Sequence, residues 1–201
     1  MIKNFDELKY YTCELGRSAP ALCDEIVLGE NGASEDDLAM LSKVGDFPPS
    51  YLETIGAVGV FGVTIGYFAL WPTFNRQGSL AGSLLDANSE RTPVVSSARN
   101  DHLLIVGRQE ANPICVGDAS GPNPDEVILL DVMSSPEIRS LSVAHKFSDF
   151  LMLAANLNAI AMSDGGDFDR HMAAIRDCCD YFNCTSEQSL FWNDTLLELI
   201  G

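Results

Sequence analysis

From Thr54 to Asn75 the chain carries no charged side chain, and within that stretch Gly56, Gly59, Gly62 and Gly66 recur among Val, Ile, Phe and Tyr. Such a run must be buried, either in lipid or in a protein core. Its length and the Gly62/Gly66 spacing are compatible with a membrane helix. Four glycines, Pro72, many β-favouring residues and the lack of a strong basic flank argue instead for buried strands with glycine turns. The chain is therefore expected not to enter a membrane. The remaining composition supports a folded domain, since 46% of the residues are hydrophobic and 20% charged, enough apolar surface to build a core over most of the length.

The regions around this stretch change period. Phe5, Leu8, Tyr11 and Leu15 have helical spacing ended by Gly16, predicting a helix over 4–15, and a short helix is expected around 19–28. Ser34-Glu35-Asp36-Asp37 is a helix start, because the hydroxyl caps a free amide and the carboxylates face the positive end of the dipole. Leu38, Leu41 and Val44 give its stripe and Gly45 its stop, and Pro49 then opens a further helix through Leu52 and Ile55. Between Gly56 and Ser142 short apolar runs predict strands at Val58–Val63, Ile65–Trp71, Pro93–Val95, Leu103–Val106, Ile114–Val116, Val127–Val132 and Ile138–Leu141. No ten-residue helical pattern separates them, which predicts a mostly antiparallel sheet rather than βαβ units. The segment 75–98, with Gly78, Gly82 and several serines, reads as a long loop. Helical spacing returns in 143–157, Ser163-Asp164-Gly165-Gly166 interrupts it, and helices are expected around Phe168, Met172 and Ile175 and after the capping box Thr185–Gln188. The predicted fold class is α+β: a curved, mostly antiparallel sheet flanked by N- and C-terminal helices. One domain is expected over 1–162, with 163–201 as a helical extension packed on it.

Charge narrows the possible partners. Twelve Lys and Arg stand against 29 Asp and Glu, a formal charge of −17 with a pI near 4.3. The acidity is spread along the chain and would repel phosphate backbones and anionic lipid, so direct nucleic-acid binding is not expected. A basic partner protein suits it. The opening ten residues alternate charged and apolar side chains and do not form a secretory signal, which points to the cytoplasm. Six cysteines without a CxxC pair, two of them adjacent at Cys178 and Cys179, read as reduced and mostly buried thiols, and no metal or cofactor is expected.

Sequences that superficially suggest catalysis fail in detail. Gly117-Asp118-Ala119-Ser120-Gly121 places the serine one position away from a nucleophile elbow. The Asp164–Asp169 run has Ile175 where an EF-hand loop needs glutamate. No lysine follows a glycine, so a phosphate-binding P-loop is absent. His145 reads as an edge or solvent histidine between a strand and a helix. No catalytic residue is assigned. The candidate partner-binding residues are Glu35, Asp36 and Asp37, which crowd one helix start, Asp118, Asp125 and Glu126 around one sheet turn, and Trp71 as an aromatic anchor beside Pro72.

Taken in order, the Ser34–Gly45 helix, the Phe47-Pro48-Pro49-Ser50-Tyr51 corner, the glycine-bearing strands, Ile114-Cys115-Val116-Gly117-Asp118, Glu126-Val127-Ile128-Leu129-Leu130-Asp131 and Ala144-His145-Lys146-Phe147-Ser148-Asp149-Phe150-Leu151 are similar to the pieces of a known family. Residues 34–157 resemble the SUKH superfamily, which is related to yeast Knr/Smi cell-wall-synthesis regulators and abundant among bacterial immunity proteins. The resemblance implies a curved antiparallel sheet flanked by helices. It also implies a non-enzymatic immunity protein that occludes a cognate polymorphic or contact-delivered toxin, often a nuclease-type domain. A regulatory interaction scaffold of the same superfamily, which would bind several non-toxic partners, is the alternative. An enzyme of unrecognised type, which would need a pocket of convergent polar groups, is a third reading.

Overall fold

A computed structural model describes residues 1–44, 46–71, 78–89, 92–134, 137–163 and 167–201. In chain order they form α1 (Phe5–Ser18), a 3-10 turn (Pro20–Leu22), α2 (Cys23–Ile26), α3 (Glu35–Val44), α4 (Pro49–Ala57), β1 (Thr64–Ile65), β2 (Phe68–Leu70), α5 (Leu80–Ser89), α6 (Pro93–Asn100), β3 (Leu103–Gln109), β4 (Asn112–Gly117), β5 (Val127–Asp131), β6 (Arg139–Ala144), α7 (Phe147–Ala161), α8 (Phe168–Tyr181) and α9 (Ser186–Ile200). The strands pair in sequence order, each antiparallel to the next, in one open sheet. The α+β class expected from the sequence is the class observed.

Alternation along the strands gives the sheet two apolar faces. Leu103, Ile105, Cys115, Ile128 and Leu130 pack in one cluster with Val95 and Ala98 of α6. Ile114, Val116, Val127 and Leu129 point the other way, into the larger core with α1, α4, α7, α8 and α9. All five residues of β5 are buried as a result. Two bulges bend the sheet: Val106 is an extra residue of β3 opposite Cys115 and Ile114, and Val143 is an extra residue of β6 opposite Val127 and Ile128. Bulged residues drop out of the ladder and raise the local twist. The Val143 carbonyl accepts instead from the Trp192 indole Nε1 at 2.8 Å, and that ring is fully buried against Phe68 and Phe150. The large core is thus closed by the last helix of the chain.

Several expectations are corrected. Residues 58–63 form turns rather than a strand, with a single bridge from Gly29 to Gly59. The Ile65–Trp71 run is a hairpin, β1–β2, whose two-residue loop begins with Gly66 at φ +58°, the glycine-first turn that matches strand twist. Pro93–Val95 opens a helix: Thr92 accepts from the Val95 amide at 3.2 Å, and Pro93 occupies the first turn, where its missing amide is harmless. Three apolar residues are too few to separate strand from helix by period. The described part of the 75–98 segment is not a loop but α5 and the start of α6. Leu80, Ala81, Leu84 and Ala87 make the buried side of α5, and its glycine and serines mask that pattern in the sequence. α1 continues through Gly16 to Ser18, and the glycine serves close packing, since a Cβ there would lie 2.4 Å from Val27 Cγ2. Val143 and Ala144 belong to β6, and α7 starts at Phe147. Gly45, Pro72 and the Asp164-Gly165-Gly166 break lie outside the described residues. Among those described, no helix is long and apolar enough to cross a membrane.

Trp192→Phe would keep most of the ring but orphan the Val143 carbonyl. The expected loss is about 1–3 kcal/mol of unfolding free energy, read by circular dichroism during urea denaturation. An unchanged midpoint would mean that the indole bond does not hold the bulge.

Candidate functional site

The acidic residues singled out in the sequence are mostly engaged within the fold. Asp37, in the first turn of α3, accepts from the Ser34 hydroxyl at 2.8 Å, the Ser79 hydroxyl at 2.5 Å and the Ala81 amide at 3.0 Å. It thereby fastens the start of α5 to α3. Asp125 has φ +78° and accepts from the Ser50 hydroxyl of α4. Glu126 accepts from the Ser142 hydroxyl at 2.5 Å, and that hydroxyl in turn accepts from Gln188 Nε2 at 2.9 Å. Gln188 also closes the predicted capping box with Thr185. Glu35 and Asp36 are exposed. Trp71 is half-buried against the main core, its amide donating to the Val106 carbonyl.

These residues do not converge on one spot. The backbone carbonyl of Asp46, just past the far end of α3, accepts from the Ala119 amide of the β4–β5 connection at 2.7 Å. The Asp118–Glu126 turn therefore docks at the α3–α4 corner, while Glu35–Asp37 occupy the opposite end of a ten-residue helix, about 15 Å away along its axis.

Asp118 brings together the three residue types of a hydrolytic triad in an unproductive order. Its Oδ2 lies 3.1 Å from His102 Nδ1, and its Oδ1 accepts from the Ser120 hydroxyl at 2.8 Å. Ser120 Oγ is 3.5 Å from the same imidazole nitrogen. A relay needs the serine and the carboxylate on opposite ring nitrogens, so the cluster acts as a bonded turn. His145 Nε2 donates to the Asn183 carbonyl at 2.9 Å, between β6 and the α8–α9 turn. Among the described residues no group of three or more His, Cys, Asp or Glu is placed to hold a metal ion. All six cysteines are free thiols; Cys13 and Cys23 are exposed, in contrast to the buried Cys115, Cys178 and Cys179.

Three cavities have volumes of about 350–370 Å³, one of them beside α5 and α6 with Asn88, Arg99 and Asp118 in its lining. Another, of about 370 Å³, opens between α7 and α8. Three of its polar side chains are bonded within the fold: Asn156 brackets residue 2, accepting from the Ile2 amide at 2.7 Å and donating to the Ile2 carbonyl at 2.8 Å, and His171 is bonded to Ser163; Arg170 and Asp177 supply its charge. The third is a cleft of about 350 Å³ between the outward side of α9 and the end of the sheet nearest the β3–β4 turn. Glu187, Asp194 and Glu198 of α9 and Asp131 of β5 carry its charge, and no described lining residue is basic. Leu129, Leu141 and Phe191 make its apolar floor, and Leu190 stands 61% exposed on its rim. Asp131 accepts from the amides of Ser134 and Met133 at 3.0 and 3.1 Å. The Ser134 amide is the main reason that its carboxyl is held below the ordinary carboxylate range, with Arg139 across the ladder adding to the effect.

Sequence reasoning did not single out this cleft. The α9 half was visible as Glu187, Leu190, Phe191, Asp194 and Glu198 on one helical stripe, but its other half comes from β4, β5 and β6. Nothing local brings them together.

Asp37 offers a pH test of the anchoring role. Burial alone would raise its pKa, but the bonds from Ser79, Ala81 and Ser34 outweigh burial and hold it below the ordinary value. A depressed folded pKa means that the unfolded chain binds the proton more readily. The contribution is therefore complete above about pH 5 and is lost as pH falls through the folded value. Asp37→Asn should flatten the fall of the urea midpoint between about pH 5 and pH 3; parallel curves would refute the anchor.

Set against protein-family models, curated proteins and solved structures, the chain matches none.

Proposed function

We propose that this chain is an immunity protein that binds a basic, contact-delivered toxin domain and covers its working surface. The observation that carries the reading is the cleft beside α9, where four carboxylates surround an apolar floor and no described lining residue is basic. The two features divide the work of association. A net charge of −17 draws a cationic domain in and orients it, chiefly raising the association rate. Apolar contact at Leu190, Phe191 and the sheet floor then supplies the desolvated anchor that slows release. The ordered SUKH-like pieces over 34–157 support the same class of function, and the α+β fold is compatible with it.

Glu187, Asp194 and Glu198 are the residues assigned to steering, while the Asp131 carboxylate is bonded to the amides of its own turn. Glu35 and Asp36, exposed at the start of α3, form the competing acidic patch. Asp37, Asp118, Asp125 and Glu126 serve the fold first, because each carboxylate is bonded to another element or to its own turn.

The test is to isolate the partner with tagged protein, express that partner alone, and ask whether co-expression of this chain restores growth. Rescue by the native chain is expected to weaken with Glu187→Lys/Asp194→Lys. The same pair should slow association about tenfold at low salt, with a smaller effect at high salt. Rescue lost instead with Glu35→Lys/Asp36→Lys would move the contact to α3. Partners that are all harmless when expressed alone would overturn the immunity reading in favour of a scaffold.

A further inference from the structure

A Schellman turn closes α8. The Cys184 amide donates to the Cys179 carbonyl at 2.9 Å and the Asn183 amide to the Asp180 carbonyl at 3.2 Å. Asn183 takes φ +53°, the left-handed residue on which this turn depends. The turn packs the third residue from the helix end against the second residue beyond it, ordinarily as an apolar pair. Here both positions are cysteines. Ordinary bond lengths and the backbone hydrogen bond keep their Cα atoms within about 6.8 Å of each other, inside the span of a disulfide. The two thiols perturb each other's titration: the nearness of Cys184 holds Cys179 below the ordinary thiol value, and the same nearness pushes Cys184 up. Cys178 points elsewhere. It lines the cavity between α7 and α8, and burial pushes its thiol up to about 11.

We propose that Cys179 and Cys184 are an oxidation site, a dithiol that closes to a disulfide across the end of α8. Cys184 is half-exposed while Cys179 is 2% exposed, so a low-molecular-weight disulfide meets Cys184 first. The pair first loses one proton to solvent, and passage of the remaining shared proton to Cys179 leaves Cys184 as the thiolate. That thiolate attacks the disulfide, forms a mixed disulfide and expels one small thiolate. Cys179, on losing its proton, attacks the Cys184 sulfur and expels the second. Two protein thiols are oxidised, one small disulfide is reduced to two thiols, and the two protons go to the departing thiolates. The closed loop is short, so chain entropy gives it less stabilising effect than a long-range bridge. Its consequence is local, fixing the α8–α9 corner from which the capping box and α9 begin.

The experiment equilibrates the full chain with oxidised and reduced glutathione, alkylates free thiols and cleaves before aspartates. Peptides 177–179 and 180–193 should then be recovered joined, with one alkyl group on Cys178 and otherwise lighter by two hydrogens than the sum of the reduced pair. Cys178→Ser should keep the link and Cys184→Ser should abolish it, each variant checked by its melting curve in reductant. Full alkylation of Cys179 and Cys184, glutathione adducts alone, or a Cys178–Cys179 bridge would overturn the proposal. Should Cys184→Ser fail to fold, the native peptide pair and Cys178→Ser still decide it. Toxin rescue plays no part in the readout, so this result stands or falls independently of the immunity reading.

Discussion

Burial of β5 on both faces is the constraint around which the rest of the molecule is organised. Val127, Ile128, Leu129 and Leu130 are apolar and buried, and burial of each such side chain contributes about 1.5–3 kcal/mol. That gain requires two covers. α6 supplies one with Val95 and Ala98, and α7 and α9 supply most of the other with Phe147, Phe150, Leu151, Trp192 and Leu196. The connection between β2 and β3 is consequently helical rather than a loop, even though the two strands it joins are antiparallel neighbours.

The Val143 bulge shows how closely the last helix is tied to the sheet. A residue expelled from the ladder leaves a buried carbonyl that must find a donor. Trp192 provides it, and Gln188, one turn earlier on α9, reaches the Ser142 hydroxyl beside it. Through Ser142 the bonds continue to Glu126 at the start of β5. A helix fixed this firmly on one side can present the other side as a rigid wall, which is what an interface built on secondary structure requires. α9 divides accordingly: Gln188, Trp192 and Leu196 face inward, and Glu187, Leu190, Asp194 and Glu198 line the cleft.

Polar residues that look like sites in a one-dimensional reading prove to be joints in three dimensions. Ser120 and Asp118 tie off a turn around His102. Asp37 joins α3 to α5, and Asp125 joins the β4–β5 connection to α4. The carboxylates are stabilised by hydroxyls and amides, and for Asp118 by the His102 imidazole, rather than by Lys or Arg. The surplus negative charge is left to the surface, where it can act on a partner.

Period and capping were sufficient for much of the fold. The 3.6-residue stripes of α1, α3, α7 and α9, the proline corner before α4, the capping box at Thr185 and the apolar runs of β3, β4 and β5 are local properties, so the sequence alone determined those elements and the α+β class. It also determined the acidity. Short segments were decided by their surroundings: Pro93–Val95 is helical because Thr92 caps it and the sheet offers a face to cover, and 58–63 forms turns in which Gly59 bridges to Gly29. The cleft depended wholly on tertiary structure, since α9 and the β5 and β6 residues it faces are distant in sequence. Cys179 and Cys184 are close in sequence, but only the left-handed Asn183 that ends α8 turns one thiol back upon the other.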